Sequence, residues 1–105
     1  MTTLTPGHRY ALANFEDTES FQYLQFIEKV PTNFPNPNNT LITVFDGTTN
    51  EEVLAVLIDR MEYLQNKFPC QENIKVISNL KIALMTLNER TANRKARGVE
   101  GRQLK

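Results

Sequence analysis

The stretch Phe68-Pro69-Cys70-Gln71-Glu72-Asn73 lies between two long helical patterns and decides the fold of this chain. The first pattern begins at Thr48 to Glu52 and runs to about Lys67, and the second follows Cys70 and runs to about Arg97. A junction of this length is short enough to return the chain on itself. The sequence therefore predicts an antiparallel helical hairpin.

The start of the first helix carries its own signal. Thr49 is followed three residues later by Glu52, which fits a capping box, and Glu51 also suits the positive end of a helix dipole. These residues place the beginning of the helix within Thr48 to Glu52.

The apolar residues of both helices cover more than one side. In the first helix they form one face and a second group that widens it, and in the second helix they form a heptad-like seam with others off it. Because a partner helix and a small sheet could not cover all of them, we expect a homo-oligomer, with a tightly wrapped monomer as the alternative. In the first helix, the main face consists of Val53, Leu57, Met61, Leu64 and Phe68, and the group that widens it is Leu54 and Ile58. In the second helix, the seam consists of Ile77, Leu80, Leu84 and Leu87, and the residues off it are Ile74, Val76, Ile82 and Met85.

Upstream of the hairpin, three segments have the composition of strands, being rich in aromatic and β-branched residues. A polar break of hairpin length and a loop rich in proline and asparagine separate them, and Asp46-Gly47 ends the last one. The segments are His8 to Glu16, Phe21 to Val30 and Leu41 to Phe45; the break is Asp17 to Ser20 and the loop is Pro31 to Asn39.

Together these elements predict an α+β fold, in which a small antiparallel three-stranded sheet precedes a long antiparallel helical hairpin in a homo-oligomer. We expect a single domain over residues 1–105, divided into a β part (1–46), the hairpin (47–101) and a tail (102–105). Met1 to Gly7 is expected to be a loose lead-in.

Composition narrows the class of protein. Twelve basic and twelve acidic residues leave a net charge of zero, so no overall charge draws the chain to nucleic acid or membrane. One cysteine excludes an intrachain disulfide and suits a reducing compartment. Because no apolar run approaches the ~18–20 residues that span a bilayer and Met1 to Tyr10 lacks the core of a signal peptide, we expect a cytoplasmic protein.

Catalytic groups are not visible as a set. Cys70 and the single histidine, His8, are far apart in sequence, so a Cys–His nucleophile pair is not expected. The carboxylates of the first helix could be imagined as acid–base groups, but caps and a solvated face explain them better. No phosphate-binding loop or serine elbow occurs, so we expect neither an enzyme nor a metal site nor a cofactor.

Two groups of residues suit ligand binding. Tyr63, Phe68, Gln71 and Asn73 lie around the bend and combine aromatic surface with amide groups, a mixture that suits a planar base and ribose hydroxyls. Tyrosine and phenylalanine at helical spacing are also common in cores, so this pattern alone leaves both interpretations open.

The second group lies near the end of the second helix. Arg90, Thr91, Arg94 and Arg97 recur at steps that bring residues to one side of a helix, and arginine forks match phosphate oxygens. A solvated basic end that complements the helix dipole is the alternative.

Five segments between Gly47 and Gly101 form a recognisable pattern. They are Gly47-Thr48-Thr49-Asn50-Glu51-Glu52-Val53-Leu54, Ile58-Asp59-Arg60, Phe68-Pro69-Cys70-Gln71-Glu72-Asn73, Leu87-Asn88-Glu89-Arg90-Thr91 and Arg94-Lys95-Ala96-Arg97-Gly98-Val99-Glu100-Gly101. In these segments the chain resembles the helical-hairpin domain of phage anti-defence signal sponges, which comprise the Thoeris anti-defence proteins and related anti-CBASS proteins. The resemblance is most specific near its end, and the upstream β part is similar to that of the Thoeris type.

This resemblance implies a phage-encoded, non-catalytic protein that forms a homohexamer in the host cytoplasm. Such proteins sequester immune signals: cyclic ADP-ribose isomers of the gcADPR type, and in some members cyclic di- or trinucleotides of CBASS at a separate site. Neither a membrane nor a metal is implied.

The resemblance also implies roles for particular residues. Tyr63 falls where an aromatic side chain stacks on the ligand, and Gln71 and Asn73 fall in a motif near the ADP-ribose pocket. Arg90 and Thr91, with Arg94 and Arg97, fall where the oligonucleotide site is built. This chain departs from the family in having Gln71 where arginine is usual and Arg102-Gln103 where Thr-His is usual.

A function of another class remains open on the residues alone. A small oligomeric interaction module could use its basic helix end to bind nucleic acid or a partner protein, since residues 86–105 hold six basic and two acidic residues. An enzyme that degrades the signal is a third and weaker hypothesis.

Overall fold

The structure is a computed structural model that describes residues 1–32 and 40–98. The described residues form two compact units, one ending at Thr49 and the other beginning at Asn50. Five strands make up the first unit and two helices the second, so the α+β class is confirmed. Most of the predicted loop at Pro31 to Asn39 lies outside the described residues, as do Val99 to Gly101 and the tail.

The first unit contains a three-stranded antiparallel sheet with the order β1-β2-β3. Its strands are β1 (Thr2–Thr5), β2 (Arg9–Ala13) and β3 (Phe21–Gln25). The register pairs Ala11 with Thr2 on one side and with Tyr23 on the other, and Ala11 is 5% exposed. The sheet is confirmed, but its first strand is one that the sequence analysis treated as a loose lead-in.

The prediction of a loose lead-in was wrong because Pro6-Gly7 forms a tight turn between two strands. Three of the four β1 residues are threonines, which favour strands, and Pro6-Gly7 follows directly. Gly7 has a φ of 77°, a conformation that glycine adopts readily, and the His8 N–H donates to the Thr5 carbonyl over 3.0 Å. The turn returns the chain so that β1 pairs with β2.

The predicted strand from Phe21 to Val30 is two strands. β4 (Glu28–Pro31) follows β3 and pairs with β5 (Leu41–Phe45) in a separate two-stranded antiparallel sheet. The break comes at Phe26, whose N–H still donates to the His8 carbonyl, whereas the Ile27 N–H donates to the Thr48 carbonyl over 2.9 Å. The prediction that Leu41–Phe45 joins the three-stranded sheet was therefore wrong.

Glycine is required where this change of partner occurs. A Cβ atom on Gly47 would lie 2.7 Å from the Phe26 carbonyl carbon and 2.9 Å from the Gln25 carbonyl carbon. Both are backbone atoms and cannot move aside cheaply, so only glycine allows this close approach.

The second unit is the predicted helical hairpin. Helix α1 spans Asn50–Lys67 and helix α2 spans Gln71–Ala96, with three residues between them. The two helices contact each other, and Lys81 of α2 lies 3.9 Å from the Glu62 carboxylate of α1. Gly98, with a φ of 70°, follows the end of α2, and its N–H donates to the Lys95 carbonyl over 3.0 Å.

The seam of α2 is confirmed, but the inner face of α1 differs from the prediction. Ile77, Leu80, Leu84 and Leu87 are all half-buried, and Ile74, Val76, Ile82 and Met85 are exposed. On α1 the buried residue is Ile58, at 8% exposure, flanked by half-buried Leu54, Met61 and Leu64. Leu57 and Phe68, which the sequence analysis put on the main face, are exposed.

Candidate functional site

The bend between the helices displays two exposed aromatic residues. Tyr63, in the last turns of α1, is 56% exposed, and Phe68, just after the helix, is 72% exposed. The Lys67 ammonium lies 5.3 Å from the centroid of the Tyr63 ring, within the range of a cation–π interaction. The aromatic surface predicted for this bend is therefore accessible and carries a positive charge beside it.

Hydrogen bonds from side chains fix the path of the chain at the bend. The Asn73 amide Nδ2 donates to the Phe68 carbonyl over 3.3 Å, and the Cys70 N–H donates to Gln65 Oε1 over 3.0 Å. Asn73 is half-buried, and its hydrogen bond to the Phe68 carbonyl supports the bend. Gln65, which the sequence analysis did not single out, is the second support; its spacing from Cys70 gave no signal of this contact.

Gln71 is the first residue of α2, and its side chain is exposed. Cys70 precedes it as the N-cap, with extended backbone and no capping hydrogen bond from its side chain. The first turn of a helix has backbone N–H groups that the helix itself does not pair, and they favour a negative charge nearby. The bend thus offers aromatic, amide and weakly positive surface together.

A second feature, here called the arginine groove, runs along the last three turns of α2. Its volume is about 540 Å³. Arg90 and Arg97 in it are exposed, and Arg94 is half-buried. Among the described residues, those that line the groove are Thr86, Glu89, Arg90, Asn93, Arg94 and Arg97.

Three of the four residues predicted for this end of the helix are thus brought together. Thr91 is not among the lining residues: it is half-buried and continues the seam of Ile77, Leu80, Leu84 and Leu87 at the same spacing. The groove instead adds Thr86, Glu89 and Asn93, which sequence reasoning missed although they recur at the same three- and four-residue steps.

Two of the added residues, Thr86 and Glu89, differ in their capacity for hydrogen bonds. The Thr86 hydroxyl donates to the Ile82 carbonyl over 2.8 Å, so its hydrogen is already used within the helix. Glu89 is an acceptor when ionised, whereas the arginines are donors only. Among the described residues, three arginines and one glutamate line the groove, an excess of two positive charges that suits an anion such as a phosphate.

A smaller groove of about 420 Å³ lies beside the arginine groove on α2. Lys81, Leu84, Met85, Asn88, Glu89 and Ala92 line it. Glu89 is shared by the two grooves and so stands on the ridge between them.

Two further observations concern residues 1–32 and 40–98. Nowhere in these ranges do three or more histidine, cysteine, aspartate or glutamate side chains gather closely enough to hold a metal ion. Neither of the two helices described there combines the length and the apolar character that a membrane span requires.

Comparison with known proteins adds a relative. No protein-family model matches the chain. The chain is 51% identical over 57 residues to Thoeris anti-defense 1 of Bacillus phage SBSphiJ7, and the match covers 53% of this chain. It spans 40% of the length of that relative. For that part of the chain, the resemblance to the Thoeris anti-defence proteins that the sequence predicted is confirmed.

Proposed function

We propose that this protein is a phage anti-defence protein that binds and sequesters cyclic ADP-ribose-type immune signals without altering them. By holding the signal in the host cytoplasm, it keeps the free concentration below the level that triggers the Thoeris effector. The observation that carries the proposal is the similarity to a protein named for opposing Thoeris, together with anion-binding chemistry on the hairpin.

The bend has the chemistry for a cyclic ADP-ribose isomer. Such a ligand combines a planar base, ribose hydroxyls and a diphosphate. Tyr63 offers an exposed ring for stacking, Lys67 a cation beside it, and Gln71 an exposed amide. Phe68 and Asn73 complete the predicted set, with Asn73 also holding the bend through the Phe68 carbonyl.

The arginine groove suits a second class of ligand, the cyclic di- or trinucleotides. Arg90 and Arg97 are seven residues apart, so about 10 Å of helix separates their Cα atoms. Phosphates spread around a ring could each meet a guanidinium over such a distance, and arginine binds phosphate through paired hydrogen bonds. Thr91 is half-buried on the seam and does not line this groove.

Self-association is part of the proposal. Large apolar side chains remain exposed on both helices, and leaving them in water forfeits about 25 cal/mol for each Å² of apolar surface. We propose a homohexamer in which other copies cover them. The exposed residues are Val56, Leu57, Ile74, Val76, Ile82 and Met85.

The experiment is a binding and recovery assay. Purified protein is mixed with a cyclic ADP-ribose isomer, unbound ligand is removed, and the complex is heated to release what was bound. Recovery of the intact ligand supports the proposal, and recovery of a cleaved product would replace it with an enzymatic function. Native mass spectrometry of the same complex counts the protein copies and the ligands.

The exposed arginines favour a second candidate, a module that binds nucleic acid or a partner protein through the basic helix end. Binding of this kind weakens steeply with salt because it depends on phosphate contacts. DNA or RNA binding that survives Tyr63→Ala and is lost in Arg90→Gln and Arg97→Gln would favour this candidate. Lys95→Gln is the matched control, since Lys95 is basic and at the same helix end but does not line the groove.

A further inference from the structure

Glu89 is the one acidic residue among the described residues that line the arginine groove. A groove that bound only phosphate would be weakened by a carboxylate at this position, because the carboxylate repels the ligand and offsets one guanidinium charge. Its presence therefore needs a chemical reason.

The carboxylate is not used within the described part of the chain. Over residues 1–32 and 40–98, the one pair within salt-bridge distance is Lys81 with Glu62, and Glu89 is in no hydrogen bond. The side chain is exposed and shares a side of α2 with Thr86 and Asn93, three residues before it and four after it. Its acceptor oxygens are thus available to a ligand in the groove.

The chemistry of the lining indicates what such a ligand supplies. Among the described residues that line the groove, the arginines donate and cannot accept, whereas the side-chain oxygens of Thr86, Asn93 and Glu89 can accept. Glu89 is the charged one of these acceptors, and a charged acceptor forms the stronger hydrogen bond with a donor that lies close to the bound phosphates. In a 3′,5′-linked ribonucleotide, the ribose 2′-hydroxyl has this position; a 2′-deoxynucleotide lacks this hydroxyl, and inorganic polyphosphate has no ribose.

We infer that Glu89 determines specificity in the arginine groove by accepting a hydrogen bond from a ribose hydroxyl next to the bound phosphates. The inference rests on the proposed binding of nucleotides in this groove. It adds that the groove selects ribonucleotides over other phosphate compounds, and that the selection depends on one carboxylate. A site that unselectively bound phosphates would be filled by the abundant polyphosphates of a cell.

The test compares three probes on the wild-type protein and on Glu89→Gln by calorimetric titration. The probes are a 3′,5′-cyclic diadenylate, its 2′-deoxy counterpart and inorganic triphosphate. For the wild type we expect the ribose form to bind roughly tenfold more tightly than the deoxy form, as a hydrogen bond to a charged group provides. In Glu89→Gln this ratio should fall to about twofold, while binding of triphosphate becomes several times tighter because a repelling charge is removed.

In Glu89→Gln, the preference for the ribose form should fall while triphosphate binding tightens. This combination separates a specific contact from a general effect of charge. If Glu89→Gln tightened binding of all three probes by the same factor, Glu89 would be only a background charge and the inference would be overturned, with the groove still a nucleotide site. If the wild type bound none of the probes, or Arg90→Gln bound them as well as the wild type does, the proposed use of the groove would fail too. Asp59→Asn, an exposed acid on α1 outside the groove, should change none of the three affinities.

Discussion

The Lys67 ammonium lies 5.3 Å from the centroid of the Tyr63 ring, and Tyr63 is one helical turn earlier on α1. A cation on one face of an aromatic ring leaves the other face for stacking, and it also places a positive charge close to whatever stacks there. For a ligand that joins a base to a diphosphate, this pair provides both interactions from one turn of helix. It is also a relationship that sequence spacing allows but does not establish.

Replacement of Tyr63 tests the stacking role. We expect Tyr63→Ala to weaken binding of a cyclic ADP-ribose isomer roughly tenfold or more, because stacking of a base on an aromatic side chain contributes about 1–3 kcal/mol. Tyr63→Phe keeps the ring and should keep most of the affinity. Isothermal titration calorimetry measures all three proteins.

A matched control for this prediction is present in the β unit. Tyr23 is 63% exposed, and the Arg9 guanidinium lies 5.1 Å from the centroid of its ring, so it repeats the exposed tyrosine with its cation. Tyr23→Ala should leave the affinity unchanged. Equal losses in the Tyr23 and Tyr63 variants would show that the bend is not the binding site.

Gln71 tests the departure from the family pattern. The resemblance implies that arginine is usual at this position, and the side chain here is exposed at the first residue of α2. We expect Gln71→Arg to bind the diphosphate of a cyclic ADP-ribose isomer roughly tenfold more tightly, since a charged hydrogen bond contributes about 1.5–3 kcal/mol.

The same substitution should slightly reduce stability. A positive charge at the N-terminus of α2 opposes the helix dipole, at a cost of about 0.3–1 kcal/mol in the free energy of unfolding. Titration calorimetry and thermal unfolding of the same samples separate the two effects. Unchanged affinity in Gln71→Arg would remove Gln71 from the ligand site, and Gln71→Ala then measures whether the amide contributes at all.

Ile58 tests the packing of the hairpin. Ile58 is 8% exposed, and we expect Ile58→Ala to lower the free energy of unfolding by about 2–4 kcal/mol, as the loss of a buried side chain leaves a cavity. Arg60→Ala, two residues later and exposed, should change it by no more than about 0.5 kcal/mol. Urea unfolding followed by circular dichroism at one fixed protein concentration gives both values, and equal losses would contradict this assignment of the core.

The hairpin was the part of the fold that local sequence could predict. The bounds of both helices and the seam of α2 follow from periodicity, which is a property of neighbouring residues. Periodicity did not show which of two apolar faces of α1 meets α2. Leu57 and Ile58 both belong to apolar rows, and contact with the other helix decides that Ile58 is buried.

The β unit shows a second limit of prediction from local sequence. The sequence from Phe21 to Val30 suggests one strand because aromatic and β-branched residues recur along its whole length. The break at Phe26 arises from Thr48, more than twenty residues away, whose carbonyl accepts from the Ile27 N–H. Strand pairing of this kind depends on non-local contacts, so local composition does not reveal it.

The candidate site was also predictable only in part from the sequence. Arginines at helical spacing were visible in the sequence, and three of them line one groove. Thr91 was predicted to project from the same side of the helix as the arginines, yet it is half-buried on the seam. Glu89 was not predicted because arginines at helical spacing indicate where a phosphate binds but not where an acceptor lies beside them.

The turn between β2 and β3 gives a prediction about pH. Ser20 Oγ donates to Asp17 Oδ2 over 2.6 Å, and the Glu19 N–H donates to Asp17 Oδ1 over 3.2 Å. The Ser20 hydroxyl, and after it the Glu19 N–H, favour the ionised carboxylate and hold the pKa of Asp17 below its ordinary value of 3.8. The contribution of Asp17 to stability is thus fully present above pH 3.8 and is lost as the pH falls through the lowered pKa.

A carboxyl titration followed by nuclear magnetic resonance should show this lowered pKa, and Ser20→Ala should return it toward 3.8. Ser78→Ala, an exposed serine on α2, is the control and should leave the titration of Asp17 unchanged. An Asp17 pKa that is the same in the wild type and in Ser20→Ala would contradict the role given to the serine hydroxyl.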